Sequence, residues 1–280
     1  ETELGRNGQY WTGSNRYPPN CSRWKGESIN NKKICLIGEA GLGDEIIFSR
    51  WIKNLKEQGA QVYYFTNNTL NNVITRSFGI EHHNPATNYD YWVPAMSLPY
   101  LLQAEEPGNS VYLHPSLEHV EKWKQILNGY NNIIALNWTG DKNHPENSFR
   151  TIPIDYLADQ IKPMGTLVSV CMGAESCPNS IIDLTRDIKS WDDTLAILSL
   201  SKICFTTSSS VSVASGAIGT NTFVYNNVID YFTWCGTNNG EKTNWFKNVW
   251  VWRQDKLSDW QTPINQSVNY FKQNVSNLCV

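Results

Sequence analysis

The sequence predicts a two-domain α/β protein in which each half is a doubly wound, Rossmann-like parallel sheet and a cleft lies between the halves. Three observations predict it. Short apolar strand-like runs alternate with segments of helical period, the same rhythm restarts after about residue 129, and 280 residues exceed what one small core requires.

Residues 1–30 are polar, rich in Gly, Pro and Asn, and without sustained period, so they are expected to be an arm or linker with no core of their own. Lys33–Ile37 is an apolar strand. The turn Gly38-Glu39-Ala40-Gly41-Leu42-Gly43 follows, and a helix begins at Asp44 with Ile47, Trp51 and Leu55 on one stripe and Gly59 as its stop. Gln61–Phe65 reads as a second strand, Asn67–Phe78 as a helix ending at Gly79, and Tyr89–Val93 as a third strand. Pro115–Leu127 is expected to close the first domain, 31–129. The second domain, 130–256, starts with the strand Ile133–Trp138, a polar loop over 139–150 and a helix from about Ile154. Leu167–Cys171 is its next strand. Ser190-Trp191-Asp192-Asp193 has the form of a capped helix start, and Lys202–Thr206 runs into the turn Thr207-Ser208-Ser209-Ser210. Thr222–Tyr225 and Asn248–Val251 complete the sheet. The segment 257–280 reads as a terminal helix expected to pack back toward the first domain.

Composition narrows the function. A net charge of −3 and a pI near 6.0 give no electrostatic footprint for nucleic acid or an anionic bilayer. No apolar run approaches membrane-spanning length, and the first residues lack the pattern of a secretory signal. Seven cysteines without CxxC spacing, three of them in apolar runs, read as reduced thiols, and a cytoplasmic location is expected. No His, Cys, Asp or Glu grouping has metal-ligand spacing, and no cofactor is expected.

The candidate chemistry sits in loops that follow strands. The first turn matches neither the GxGxxG of dinucleotide sites nor a P-loop. Its Gly41 and Gly43 let backbone approach a ligand, and Asp44 could take a proton from an attacking hydroxyl or simply cap its helix. Thr139 and Gly140 open the polar loop that carries Arg150, whose guanidinium suits a diphosphate, a solvated loop arginine being the plain alternative. His144 in that loop reads as a surface histidine. Ser208, Ser209 and Ser210 place hydroxyls and amides at a helix start, an anion site or only a cap. Glu175, after a strand end, could accept from a ribose hydroxyl. The aromatic segment Tyr231-Phe232-Thr233-Trp234 with Trp245 could wall a base, and buried packing explains it equally.

Taken together, several segments carry a resemblance: Trp24-Lys25-Gly26-Glu27, the stretch GEAGLGDEIIFSRWIKNLKEQGAQV at 38–62, Ser97-Leu98-Pro99, Trp138-Thr139-Gly140 with Arg150-Thr151-Ile152-Pro153, and the serine turn with Ala214–Gly219. The chain resembles, nearly end to end, the glycosyltransferase domain found downstream of tetratricopeptide repeats in bacterial proteins, which is similar to the ADP-heptose lipopolysaccharide heptosyltransferases. The resemblance implies a GT-B fold, with the donor in the second domain and the acceptor approaching from the first. It places Asp44 on the catalytic aspartate, Arg150 on the donor-phosphate cation and Glu175 near a donor-contacting acid. It also implies metal-independent, inverting transfer from a nucleotide-diphosphate sugar to a glycan or polypeptide hydroxyl, and an upstream repeat domain as a partner. One departure stands out: relatives carry aspartate and histidine where this chain has Ser208 and Val213. A non-catalytic glycan-binding or structural module on the same fold is therefore the alternative, and a sugar epimerase fits less well because its acids and histidines are missing.

Overall fold

The computed structural model describes residues 18–104, 107, 111–145, 147–229 and 231–274. By its contacts the chain divides into two units, the first of residues 1–107 and 112–114, the second of 108–111 and 115–280.

In the first unit the elements are β1 (Ser22–Arg23), β2 (Lys33–Ile37), α1 (Leu42–Ser49), α2 (Ile52–Glu57), β3 (Gln61–Phe65), α3 (Asn71–Phe78), β4 (Glu81–His82), β5 (Tyr91–Pro94) and α4 (Leu98–Leu101). The strands pair in the order β1-β5-β2-β3-β4, all parallel. Period-2 alternation sends Cys35 and Ile37 of β2 to one face with Tyr63 and Phe65, while Ile34 and Leu36 point to the other beside Val62 and Tyr64. Both faces are covered, as a parallel sheet requires. Gly79 closes α3 in the left-handed region at φ 58°, and its amide caps the last carbonyls.

Two expectations are corrected here. The helix expected to run from Asp44 to Gly59 is two helices, broken at Arg50 and Trp51. The arm is not a linker over its described part. Residues 22–23 add a parallel edge strand beside β5, the Trp24 amide donates to the Trp92 carbonyl at 2.9 Å, and Trp24 and Ile29 are buried. Burying one indole contributes roughly 2–3 kcal/mol, enough to fix a short polar segment. The apolar residues that do this are isolated in sequence, which is why no period announced them.

The second unit contains α5 (Leu117–Ile126), β6 (Ile134–Asn137), α6 (Asn147–Arg150), α7 (Ile154–Ile161), β7 (Leu167–Ser169), β8 (Ile182–Asp183), α8 (Trp191–Leu200), β9 (Ile203–Thr207), α9 (Ser210–Ala217), β10 (Thr222–Asn226), β11 (Val249–Arg253) and α10 (Gln261–Asn274). Its parallel sheet has the order β11-β10-β9-β6-β7-β8, so the winding reverses between β6 and β9. Ile134, Leu136, Ile203, Phe205, Phe223 and Tyr225 face a core shared with α7 and α10, and Ala135 and Cys204 face α5 and α8.

Helix α10 packs on this sheet: Ile264, Val268 and Phe271 enter the core, and the Tyr225 and Ser267 hydroxyls meet at 2.6 Å, while residues 275–280 of the expected terminal helix lie outside the described residues. Helix α5 likewise belongs to the second unit and does not close the first. Trp123 is fully buried against α8, where its indole donates to Asp193 at 2.8 Å, and the Lys122 ammonium reaches the same carboxylate oxygen at 2.7 Å. Asp193 also accepts from the Lys189 amide and completes the capping box with Ser190. Burial alone would push this carboxyl up, but Lys122, the Lys189 amide and the Trp123 indole outweigh it and hold it at about 2, against an ordinary 3.8.

A depressed folded value means stability that is complete above pH 3.8 and is lost as pH falls toward 2. The shift corresponds to about 2 kcal/mol, roughly half of it gone at pH 3. Urea unfolding of Asp193→Asn is expected to show that deficit at pH 7 and a smaller one at pH 3. Equal deficits at the two pH values would refute the assignment.

Six described cysteines are unpaired thiols. Burial pushes Cys35 and Cys204 up to about 12 and Cys171 up to about 11, which keeps them protonated and unreactive. Among the described residues no helix is long and apolar enough to cross a membrane.

Candidate functional site

Open parallel sheets bind ligands beyond the carboxyl ends of their strands, where the winding reverses. Each unit has such a point.

In the first unit it lies between β2 and β5, and the glycine turn occupies it. Ala40 is in the left-handed region at φ 56°, which swings the chain into α1. The Glu39 carboxylate crosses to the turn after β5 and accepts from the Met96 amide at 2.9 Å. Asp44 is 7 % exposed and accepts from the Gly41 amide at 3.0 Å, so it does cap the helix. Gly43 forms part of the first turn of α1. Glu45 is 1 % exposed and fastens α1 to the end of β3, accepting from the Thr66 hydroxyl and from the Asn67 amide at 2.8 Å. Two carboxylates thus fix the loop on either side of Asp44. Neither Glu39 nor Glu45 stood out in the sequence, because their partners lie 57 and 22 residues away.

In the second unit the reversal lies between β6 and β9, and most of the predicted donor residues converge there. Arg150 ends α6, the short helix within the predicted polar loop. Its Nε donates to Asn147 Oδ1 at 3.1 Å and its Nη1 to the Ser208 carbonyl at 3.3 Å. The Thr207 hydroxyl donates to the Arg150 carbonyl. Asn147 binds the loop together: Oδ1 also accepts from the Gly140 amide at 2.9 Å, and Nδ2 donates to Thr139 Oγ1 at 2.9 Å. Arg150 lies so close over Gly140 that a Cβ there would stand 2.4 Å from Nη2. Gly173, after β7, backs onto the same strand end, where a Cβ would meet the Gly140 carbonyl oxygen at 2.2 Å. Gly173 therefore requires glycine, whereas a side chain at Gly140 would displace the Arg150 guanidinium.

The serine turn faces this loop. Ser209 N-caps α9 with extended backbone, and its hydroxyl oxygen accepts from Asn137 Nδ2 at 3.0 Å. Ser208 Oγ accepts from the Trp234 indole at 2.8 Å. Each of these bonds uses an acceptor lone pair, so it leaves the O–H proton to be donated elsewhere. The Ser209 amide is taken by Ser212 Oγ at 3.2 Å, and Ser210 opens the helix. Glu175 is exposed in the turn after β7 and is not drawn into this network. His144 sits in the exposed part of the loop, its amide bonded to the Asp141 carbonyl at 3.0 Å. Val213 is buried in α9.

Asn137 and Asn147 are the residues that sequence reasoning missed, while Trp234, read there as a base wall or as packing, supports Ser208. Asn147 lies three positions before Arg150, and Asn137 ends its strand; those placements were the available signals. Among the described residues no group of three or more His, Cys, Asp or Glu is arranged to hold a metal ion. The arrangement in the second unit is a polar cradle with one guanidinium, two oriented hydroxyls and the positive end of α9, suited to an anion such as a diphosphate.

No protein-family model matches the chain, and no curated protein matches it in sequence. Solved structures match it in fold, and that fold is GT-B, as in the heptosyltransferases. The chain is similar to the family 9 glycosyl transferase of Veillonella parvula, with a TM-score of 0.57 and 11 % identity over 89 % of this chain and 91 % of that one. It is similar to ADP-heptose LPS heptosyltransferase II of E. coli, with a TM-score of 0.60 and 10 % identity over 88 % and 98 % of the two chains. The E. coli heptosyltransferase WaaC, solved with ADP, gives 0.54 and 12 % over 87 % and 98 %.

Proposed function

We propose that the protein is a glycosyltransferase that moves a sugar from a nucleotide-diphosphate donor to a glycan or polypeptide hydroxyl, without a metal and with inversion. The observation that carries this reading is the cradle of Arg150, Asn147, Gly140, Ser208 and Ser209 at the winding reversal of the second sheet. A neighbour of the same fold was solved with ADP, which supports a nucleoside diphosphate as its occupant.

In this reading Arg150 holds the diphosphate oxygens while the Ser208 and Ser209 hydroxyls donate to them. Together with the α9 dipole they meet the charge that grows on the departing diphosphate. Asp44 takes the proton of the acceptor hydroxyl as that oxygen attacks the anomeric carbon. The sugar–phosphate bond breaks as the new glycosidic bond forms on the opposite face, and the electron pair leaves on the diphosphate. Thr139 and Gly140 shape the floor, and Glu175 accepts from the ribose. The unpaired, buried thiols fit a reducing compartment such as the cytoplasm.

One observation favours a second reading. Buried Val213 cannot donate to phosphate at the position where the resemblance implies a histidine, so a binding module that has lost transfer is the alternative. A thermal-shift panel of ADP, UDP, GDP and their hexose conjugates at millimolar concentration tests both. A donor at about 100 times its Kd is expected to stabilise by about 2.7 kcal/mol, raising Tm by several degrees. Consumption of the same donor with an acceptor separates transferase from module, and no shift with any nucleotide would refute the donor reading.

A further inference from the structure

We infer that Tyr231, Phe232 and Trp245 form a stacking platform for the pyranose ring of the donor, a subsite that rests on the donor reading above.

Exposed large apolar side chains gather on the carboxyl-edge loops of the second sheet, and the densest group follows β10. Tyr231 is 46 % and Phe232 37 % exposed, and Trp245 is half-buried beside them. Their ring centroids are 4.6 Å apart for Tyr231–Phe232 and 5.6 Å for Phe232–Trp245. The turn that presents them is firmly held. Arg253 donates to the Trp234 and Thr237 carbonyls at 3.2 and 3.0 Å, and the Thr243 hydroxyl donates to the Thr233 carbonyl at 3.0 Å. Trp234, buried beneath, donates to Ser208 of the anion cradle. Phe232 is two residues from Trp234, at most about 7 Å along the chain, so the platform and a support of the cradle belong to one turn.

Strand order decides which end of the ligand arrives there. In the donor reading the ribose is taken by Glu175, in the turn after β7, the strand next to β6. The nucleoside therefore lies over β7 and the diphosphate over β6 and β9. What remains of the ligand extends over β10, where the aromatic turn stands. The ring geometry agrees. Interplanar angles of 47° and 74° make an angled concavity rather than a parallel slot. A flat base stacks best between parallel faces, whereas a pyranose presents C–H groups in several directions.

The test compares wild type with Tyr231→Ala and Phe232→Ala, with the Tm of each variant measured to establish that it folds. Calorimetry measures the affinities of ADP, UDP, GDP, ADP-glucose, UDP-glucose and GDP-mannose, and saturation-transfer NMR measures contact with methyl glycosides. For the preferred base, Phe232→Ala is expected to weaken the sugar conjugate about tenfold and leave the bare diphosphate within about twofold. Equal weakening of both ligands, or of neither, overturns the platform. If no nucleotide binds the wild type, the donor reading fails by itself. The platform then stands only if a methyl glycoside shows saturation transfer that Phe232→Ala abolishes, and it falls if none does.

Discussion

Asp44→Asn is expected to lower the transfer rate by about 10²–10⁴-fold while leaving donor affinity and melting temperature unchanged. The asparagine side chain keeps an oxygen that can accept from the Gly41 amide, so the helix cap survives while the carboxylate charge is lost. Asp44→Ala also removes the cap, and its further cost of about 1 kcal/mol should appear in Tm. The two variants separate the carboxylate's structural duty from its chemical one. Turnover of Asp44→Asn at the wild-type rate, followed by donor consumption with acceptor present, would remove Asp44 from the mechanism.

Arg150→Ala is expected to weaken nucleoside diphosphate binding by about 100-fold, and Arg150→Lys to restore little of it. The guanidinium reaches Asn147 and the Ser208 carbonyl from one rigid plane, and it lies flat over Gly140. An ammonium is a point charge on a flexible stem and cannot reproduce both contacts while facing a phosphate. Asn147 still holds the Gly140 amide and Thr139 in either variant, so the loop should stay folded. Calorimetric titration with the best diphosphate measures the effect. Near-wild-type affinity in Arg150→Ala would assign this arginine to loop structure alone.

Much of the fold was legible because parallel α/β units write themselves locally. The strand, glycine turn and helix at 33–49 follow one another in the sequence as they do in space. The serine turn after β9 and the capped start at Ser190 were equally readable, since a cap is set by residues three positions apart. What failed to show was whatever depends on distant partners. Trp24 enters the first unit through β5, almost 70 residues later, and Trp123 commits α5 to the second through Asp193. In the candidate site, Arg150 and the serine turn were identified by residue type. Their supports were not: an asparagine in a polar loop and a tryptophan in an aromatic run gain meaning only when Gly140 and Ser208 lie within hydrogen-bond reach. Asp44 remained two-sided because capping and proton transfer ask for the same residue at the same helix position.

The tie between Trp123, Lys122 and Asp193 also decides where this polypeptide can be recombined with its relatives. A crossover at the loop near residue 129 would transplant a sheet without the helix that roofs it, opening an indole-sized void and stranding a buried anion. Exchange of the first unit must join the chains upstream of Pro115, so that α5 travels with the sheet it covers.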